Sequence, residues 1–271
     1  MGKIASVKNQ ILAILYDFDK TLCTKDMQEY SFIPSVGMSR EGFWGECSKL
    51  AETQKMDRIL AYMYLMLRKS REKGRPISRE SFVGLGKDIK YFPGVETWFE
   101  RINEIGKAQG AVIEHYIISS GLKEIIEGSC IAKHFKEIYA CEFHYEENGI
   151  ADWPKAVVNY TTKTQFVFRI NKGVLDPSDD VGVNRYTPEE ERRIPLRNMI
   201  YIGDGITDVP CMSLVKNSGG RSIAVYKRGG KSTAQSLQRD ERVDFIFPAD
   251  YSEGGELEVA VNEIIAEMTF V

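Results

Sequence analysis

Four stretches of the chain are predominantly apolar and bounded by polar residues. They span residues 11–16, 111–118, 198–202 and 221–225. Aliphatic runs of this length are typical of strands that are buried on both faces of a parallel sheet. The pattern therefore predicts four strands of such a sheet.

Segments that follow these strands show the spacing of amphipathic helices. We predict helices over residues 94–109, 121–133 and 255–268, where apolar positions recur at intervals of three and four. Strands that alternate with helices are typical of the α/β class. We therefore expect a Rossmann-like parallel sheet covered by helices.

The interval that follows the first strand has a different pattern. Residues 46–71 are rich in helix formers with apolar residues at helical spacing, and the pattern is broken at residues 74–76. We predict an inserted helical cap domain over residues 23–91, and a core domain formed by residues 1–22 and 92–271. A segment of that size can cover a crevice as a lid.

One long stretch shows no period. Residues 176–198 are rich in Pro, Asp and Glu, which predicts a surface loop, with a helical turn starting at Pro188.

Composition narrows the classes of function. The chain has 36 Lys and Arg against 39 Asp and Glu, for a formal charge of −3, which argues against a basic nucleic-acid binder. The longest apolar run, residues 59–67, is much shorter than the roughly 20 residues of a membrane-spanning helix. The five cysteines include no C-x-x-C pair, and the N-terminal residues lack a signal-peptide cleavage site. We expect a cytoplasmic protein; no pattern indicates an oligomeric state.

Acidic residues follow two of the predicted strands. Asp17 and Asp19 come directly after the first strand, and Asp204 follows the strand at 198–202. The carboxyl ends of parallel strands border one ligand crevice, so these side chains should converge. Two neighbouring carboxylates suit a nucleophile beside a proton donor, and hard oxygen ligands suit Mg²⁺.

Candidate hydrogen-bond donors follow another strand. Ser119, Ser120 and Gly121 come after the run at 111–118, and their hydroxyl and backbone N–H groups could bind a phosphoryl group together with one lysine. Ser119 could instead act only as a helix N-cap, a role that is compatible with phosphate binding.

Three motifs together resemble those of a known family. The segment DFDKT at 17–21, the strand that ends at Ser119 and the segment GDGITD at 203–208 are similar in order and spacing to motifs one, two and four of the haloacid dehalogenase-like (HAD) superfamily. The helical insert after the first motif is similar to the phosphoserine-phosphatase-like branch.

The resemblance implies a role for each acidic residue. Asp17 would be the nucleophile and Asp19 the general acid and base, and Mg²⁺ would bind Asp17, the backbone carbonyl of Asp19 and Asp204. Asp208 would support the metal site or orient a catalytic lysine, and Thr21 would help to fix the first loop.

The remaining roles fall to neutral and basic residues. Ser119 would hold a phosphoryl oxygen. The third motif is a single lysine, for which the chain offers Lys155, Lys163 and Lys172. We favour Lys163 because it precedes a helix-like segment, and Lys155 is the second choice.

The resemblance implies a Mg²⁺-dependent phosphomonoester phosphatase that acts on a small phosphorylated metabolite. Asp19 favours phosphoryl chemistry, because branches that cleave carbon–halogen bonds lack an acid there. A phosphomutase and a non-catalytic phosphometabolite-binding module are the alternatives. Asp26 lies near the position where phosphoserine phosphatases carry an acidic residue for the substrate amine, but its surroundings match poorly.

Overall fold

The fold is built on one sheet of seven strands. The computed structural model describes residues 10–270, and the sheet has the order β4-β3-β2-β1-β5-β6-β7. All neighbouring strands are parallel except β3 and β4. The strands are β1 (Gln10–Tyr16), β2 (Ala111–Leu122), β3 (Phe135–Tyr145), β4 (Ala151–Ala156), β5 (Met199–Gly203), β6 (Arg221–Tyr226) and β7 (Phe245–Pro248).

Helices connect these strands and follow the last of them. They are α1 (Phe32–Ser35), α2 (Arg40–Gln54), α3 (Arg58–Glu72), α4 (Arg79–Leu85), α5 (Val95–Ala108), α6 (Lys123–Glu127), α7 (Lys163–Lys172), α8 (Asp180–Asn184), α9 (Val209–Asn217), α10 (Ser232–Arg239) and α11 (Glu256–Thr269). The mixed architecture confirms the predicted Rossmann-like α/β fold.

The central strand explains where a ligand can bind. β1 pairs with β2 on one side and with β5 on the other, and Tyr16 is in register with both Ile117 and Ile202. The chain builds the sheet outward from β1 in one direction and then, from β5, in the other. The carboxyl ends of β1 and β5 therefore border the crevice at a topological switch point.

Four strands agree with the predicted apolar runs, whereas β3, β4 and β7 were not predicted.

The helix predicted over 121–133 is wrong in extent, because β2 continues to Leu122 and α6 ends at Glu127. The chain leaves the helix at Gly128, where an added Cβ would lie 1.8 Å from the Val83 carbonyl oxygen. Only a residue without a side chain fits this close approach of the end of α6 to α4.

The helical run predicted over 46–71 is two helices. Lys55 has a left-handed φ of 51° and ends α2. The Asp57 side chain then accepts hydrogen bonds from the N–H groups of Ile59 and Leu60, which caps α3. The two helices therefore form a hairpin rather than one rod.

Helices α1–α4 pack on an aromatic centre of their own and also touch the sheet. Phe32 stacks edge to face with Phe43 and Phe82, and Phe82 does so with Phe143 of β3. These helices lie between β1 and α5 in sequence, as the predicted cap would. The division of the chain at residues 23 and 91 into two domains stays a prediction.

The segment 176–198 is a loop with short helical turns. It contains α8, a 3₁₀ turn at Glu189–Glu191 directly after Pro188, and a second at Leu196–Asn198. The fully buried Arg169 guanidinium of α7 donates to the carbonyl oxygens of Asp176, Pro177 and Asp179. These bonds hold the loop against the core.

Within residues 10–270, none of the helices combines the length and the apolar character that crossing a bilayer requires.

A buried hydrogen-bond chain supports the centre of the sheet. Trp98 Nε1 lies 2.9 Å from Tyr16 Oη, which lies 3.0 Å from His115 Nδ1. The indole can only donate, so the Tyr16 hydroxyl proton is available to His115 Nδ1. His115 Nε2 then carries the imidazole proton and donates to Asn103 Oδ1 at 3.1 Å. Burial lowers the pKa of His115 to about 3.

We predict that acidification destabilises the protein through His115. Its pKa is depressed in the folded state, so the stabilisation is complete above the ordinary value of 6.5 and is lost as the pH falls toward about 3. The slope from this group is about 1.4 kcal/mol of unfolding free energy per pH unit. Urea titrations of the wild type and of His115→Gln at pH values between about 3 and 6.5 measure this slope. The variant should show the shallower slope, and parallel curves would contradict the prediction.

Candidate active site

A cavity of about 810 Å³ lies where the carboxyl ends of β1, β2 and β5 meet helices α2 and α3. The sheet side of its lining includes Asp17, Asp19, Ser119, Ser120, Gly121, Lys163 and Asp204. The helical side includes Arg40, Trp44, Arg58, Ile59 and Tyr62. The structure therefore brings most of the predicted site residues to one crevice.

A buried lysine joins two of the aspartates. Lys163 Nζ lies 2.8 Å from Asp17 Oδ1 and 2.7 Å from Asp208 Oδ1, and its side chain is only 1% exposed. Asp208 also accepts hydrogen bonds from the Tyr201 hydroxyl at 2.8 Å and from the Gly205 N–H at 3.3 Å. Asp208 thus holds the lysine from behind, while Asp17 faces the cavity.

Local structure places Lys163 at this point. It is the first residue of α7, and its N–H donates to the Asn159 carbonyl. The Asn159 side chain donates to Asp57 Oδ2 at 3.1 Å, which ties this turn to the N-terminus of α3. The position of the lysine therefore depends on a contact with the helical segment.

Burial and charge act in opposite directions on this cluster. Burial raises the pKa of Asp17 to about 6, Lys163 opposes the rise, and the charge of Asp208 adds to it. Burial alone would lower the pKa of Lys163, but the attraction of both carboxylates outweighs burial and raises it. The lysine therefore stays protonated beside Asp17.

Asp19 is held by one of its oxygens. Its Oδ1 accepts the Met27 N–H at 2.9 Å and lies 3.6 Å from Cys23 Sγ. Burial raises the pKa of Asp19 well above its usual range, and the charges of Asp26 and Asp17 add to this effect. Asp19 is thus a carboxyl group that can carry a proton beside Asp17.

The other oxygen of Asp19 lies near Gly121. A Cβ built on that glycine would lie 3.1 Å from Asp19 Oδ2 and only 2.1 Å from Met27 Cε. No residue other than glycine fits there without a shift. The close approach leaves the backbone at the end of β2 directly beside the second carboxylate.

The C-terminal end of β2 presents hydroxyl and backbone groups. Ser119 is fully buried, and its Oγ accepts the Gly121 N–H at 3.0 Å, which leaves its own proton free to donate. The Ser120 Oγ is buried and has no hydrogen-bond partner among the residues that the structure describes. Both residues line the cavity, where the Ser119 hydroxyl keeps a proton that it can donate.

Carboxylate oxygens of Asp17, Asp204 and Asp208 lie within 4.8 Å of one another, a grouping that could hold a metal ion. Between residues 10 and 270, no N–H or O–H group donates to the Asp204 carboxylate. Asp208 already accepts three hydrogen bonds. Hard oxygen donors of this kind fit a divalent cation such as Mg²⁺, with Asp17 and Asp204 as the available carboxylates.

The remaining candidate residues from the sequence are Thr21, Lys155 and Lys172. Thr21 is fully buried, and its hydroxyl has no partner within the described part of the chain, although its carbonyl accepts from the Tyr251 hydroxyl at 3.0 Å. Lys155 pairs with Glu142 on the surface, and Lys172 donates to the carbonyls of Val183 and Arg185. Lys163 is therefore the one of the three candidate lysines that contacts Asp17.

Sequence reasoning missed two residues of the site. Met27 reaches both Asp19 and the end of β2, where its Sδ accepts the Leu122 N–H at 3.1 Å. Tyr62 of α3 donates its hydroxyl to the Ser120 carbonyl at 2.7 Å. Met27 belongs to no motif, and Tyr62 is one of the apolar positions of the helical run at 46–71, so no local signal marks either contact.

We predict that Lys163→Met lowers the free energy of unfolding by about 3–5 kcal/mol, because it leaves two buried carboxylates without their cation. Urea denaturation at pH 7 measures the loss. The matched control is Lys155→Met, whose surface pair with Glu142 should change stability by less than about 1 kcal/mol. Equal stability of the two variants would show that the buried lysine does not hold the cluster together.

Comparison with known proteins places the chain in a family. A sequence relative in Borreliella burgdorferi, itself an uncharacterized protein, is 29% identical over 276 residues, which cover 92% of this chain and 95% of the relative. Among solved structures, a phosphoserine phosphatase that carries an analogue of its phospho-aspartyl intermediate superposes with a TM-score of 0.58 at 15% identity, covering 94% of this chain and 99% of the other.

A probable phosphoserine phosphatase from Vibrio cholerae superposes with a TM-score of 0.61 at 12% identity, covering 97% of this chain and 67% of the other. These likenesses show a shared fold. The sequence model of the haloacid dehalogenase-like hydrolases matches residues 14–213, which include the end of β1, all of β5 and the cluster of Asp17, Lys163 and Asp208. The chain belongs to the haloacid dehalogenase-like hydrolase family.

Proposed function

We propose that the protein is a Mg²⁺-dependent phosphomonoester phosphatase that acts on a small phosphorylated metabolite through a phosphoryl group bound covalently to Asp17. One observation carries the proposal. The Asp17 carboxylate faces the cavity between a protonated Lys163, 2.8 Å away, and the donor groups at the C-terminal end of β2. That arrangement suits an attack on an anionic phosphorus centre.

In the first step, an Asp17 carboxylate oxygen attacks phosphorus and the bond between phosphorus and the ester oxygen breaks. Lys163 and the Ser119 hydroxyl offset the negative charge on the phosphoryl oxygens. Asp19, which holds a proton because burial and neighbouring carboxylates raise its pKa, gives that proton to the departing alcohol.

In the second step, Asp19 takes a proton from a water molecule, whose oxygen attacks phosphorus. The bond between phosphorus and Asp17 then breaks, which releases inorganic phosphate and restores the carboxylate. Asp19 is suited to both steps because Met27 and Cys23 hold one of its oxygens while the other lies beside Gly121. Its proton can therefore move without a change of rotamer.

Mg²⁺ would bind Asp17, Asp204 and the Asp19 carbonyl oxygen, and would neutralise charge on the phosphoryl oxygens. Asp208 would act through Lys163, because its oxygens already accept hydrogen bonds from Lys163, Tyr201 and Gly205. The membership in a hydrolase family and the fold shared with phosphoserine phosphatases support phosphate release as the reaction.

We expect Asp17→Asn to lose at least about a thousandfold in turnover while its fold stays intact, because an amide cannot form the phosphoryl intermediate. The measurement is release of inorganic phosphate from a panel of phosphorylated metabolites with Mg²⁺, with EDTA and the variant as controls. Full activity in the folded variant would overturn the proposal. A phosphomutase would differ by converting substrate without stoichiometric phosphate release.

For Asp19→Asn we expect a loss that depends on the leaving group. Esters of basic alcohols need the proton, so their phosphorylation of Asp17 should slow by about a hundredfold or more, whereas aryl phosphates should be affected less. Single-turnover measurements with an alkyl and an aryl phosphate give the two rates. An equal loss for both esters would argue against Asp19 as the acid.

A further inference from the structure

We propose that the substrate carries a flat apolar group rather than an ammonium group beyond its phosphate, and that this group binds against Trp44, Ile59 and Tyr62 of helices α2 and α3. The inference rests on the proposed phosphatase function and names the substrate class for that site.

An apolar wall begins at the phosphoryl end of the cavity. The Tyr62 hydroxyl donates to the Ser120 carbonyl, so its ring lies directly beside the C-terminal end of β2. The Trp44 ring lies 6.1 Å from the Tyr62 ring, at an angle of 75°. Ile59 also lines the cavity, one turn before Tyr62 on the same helix. The wall therefore leads from the phosphate position toward the helices, where the rest of a substrate must lie.

The wall is rigid. Trp44 Nε1 donates to Glu29 Oε1 at 2.9 Å, and its ring packs edge to face on Phe43 with the centroids 5.2 Å apart. Tyr62 is 3% exposed and is fixed at its hydroxyl. Preorganised aromatic surfaces bind flat apolar groups with little loss of conformational entropy.

Two acidic side chains on the helical side, Asp26 and Glu29, are already paired. Asp26 Oδ2 lies 2.6 Å from Lys20 Nζ, and Glu29 Oε1 lies 2.7 Å from Arg40 Nε as well as accepting from Trp44. A substrate ammonium would therefore have to displace Lys20 from Asp26. The ammonium group of Lys20 already occupies the position beside Asp26 that a substrate amine would need.

The other charges on that side do not favour an amine either. Arg40 and Arg58 both line the cavity and carry positive charge. Glu41 lines it too, but it is exposed in the first turn of α2, where water screens its charge. The helical side is thus not negative overall, in contrast to the sheet side with its aspartates.

Three esters of matched leaving group test the inference: 2-phenylethyl phosphate, n-propyl phosphate and O-phosphoethanolamine. They differ in the group at the far end of a short alkyl chain, which is phenyl, methyl or ammonium. We expect kcat/KM to fall in that order, with at least about tenfold between the first and the last. A wild-type preference for O-phosphoethanolamine over 2-phenylethyl phosphate would overturn the inference.

Two pairs of variants test the contribution of the apolar wall and that of the ion pair between Lys20 and Asp26 separately. Trp44→Ala should lower kcat/KM for 2-phenylethyl phosphate by about tenfold and for n-propyl phosphate by less than about threefold, and Trp44→Phe should retain most of the preference. Lys20→Met should raise the ratio of O-phosphoethanolamine to n-propyl phosphate by about tenfold, because it leaves Asp26 free.

Lys25→Met is the matched control for Lys20→Met. It removes the same charge from an exposed position of the same loop without releasing a carboxylate in the cavity. Equal losses for all esters in Trp44→Ala, together with an unchanged ratio in Lys20→Met, would contradict the inference.

Binding of the same esters to Asp17→Asn, measured by calorimetry, separates this inference from the proposed function. The order of affinities in that protein reports the subsite without turnover. No phosphate release from any ester by the wild type, with the expected order of affinities in the variant, would overturn the phosphatase and support the subsite. Release with the reverse order of affinities would overturn the subsite alone.

Discussion

The site depends on the buried ion pairs of Lys163. A protonated amine with 1% exposure is stable here only because Asp17 and Asp208 lie within 2.8 Å of it. The same amine keeps two carboxylates close together that would otherwise repel each other. The cluster ties β1, the start of α7 and the segment after β5 into one unit, so the geometry around Asp17 and the stability of the core depend on the same contacts.

A second set of contacts joins the helices α1–α4 to the same place. Tyr62 binds the Ser120 carbonyl, Met27 binds Asp19 and the N–H of Leu122, and Asp57 binds Asn159 just before α7. Apart from the bond with Leu122, each of these bonds ends on a residue that borders the cavity or positions Lys163. The helical segment therefore does more than cover the crevice, because it also orients the groups on the sheet side.

Much of the fold followed from short-range patterns. Strands β1, β2, β5 and β6 are apolar runs because both faces of the sheet are covered, and periodicity reports such burial directly. The strands β3, β4 and β7 escaped prediction, since exposed and half-buried residues interrupt their apolar positions. The end of α6 at Glu127 also escaped it, and there Gly128 packs closely on the backbone of Val83, some 45 residues earlier in the sequence.

The sequence by itself determined the family resemblance, the α/β class and the aspartates at the strand ends, because these depend on motifs of a few adjacent residues. Only the tertiary structure decided which of three lysines lies beside Asp17, since Lys163 reaches it across 146 positions of the chain. It also decided that Lys20 forms an ion pair with Asp26 and that Tyr62 contacts the end of β2. Such contacts arise from packing between distant elements, which no local spacing encodes.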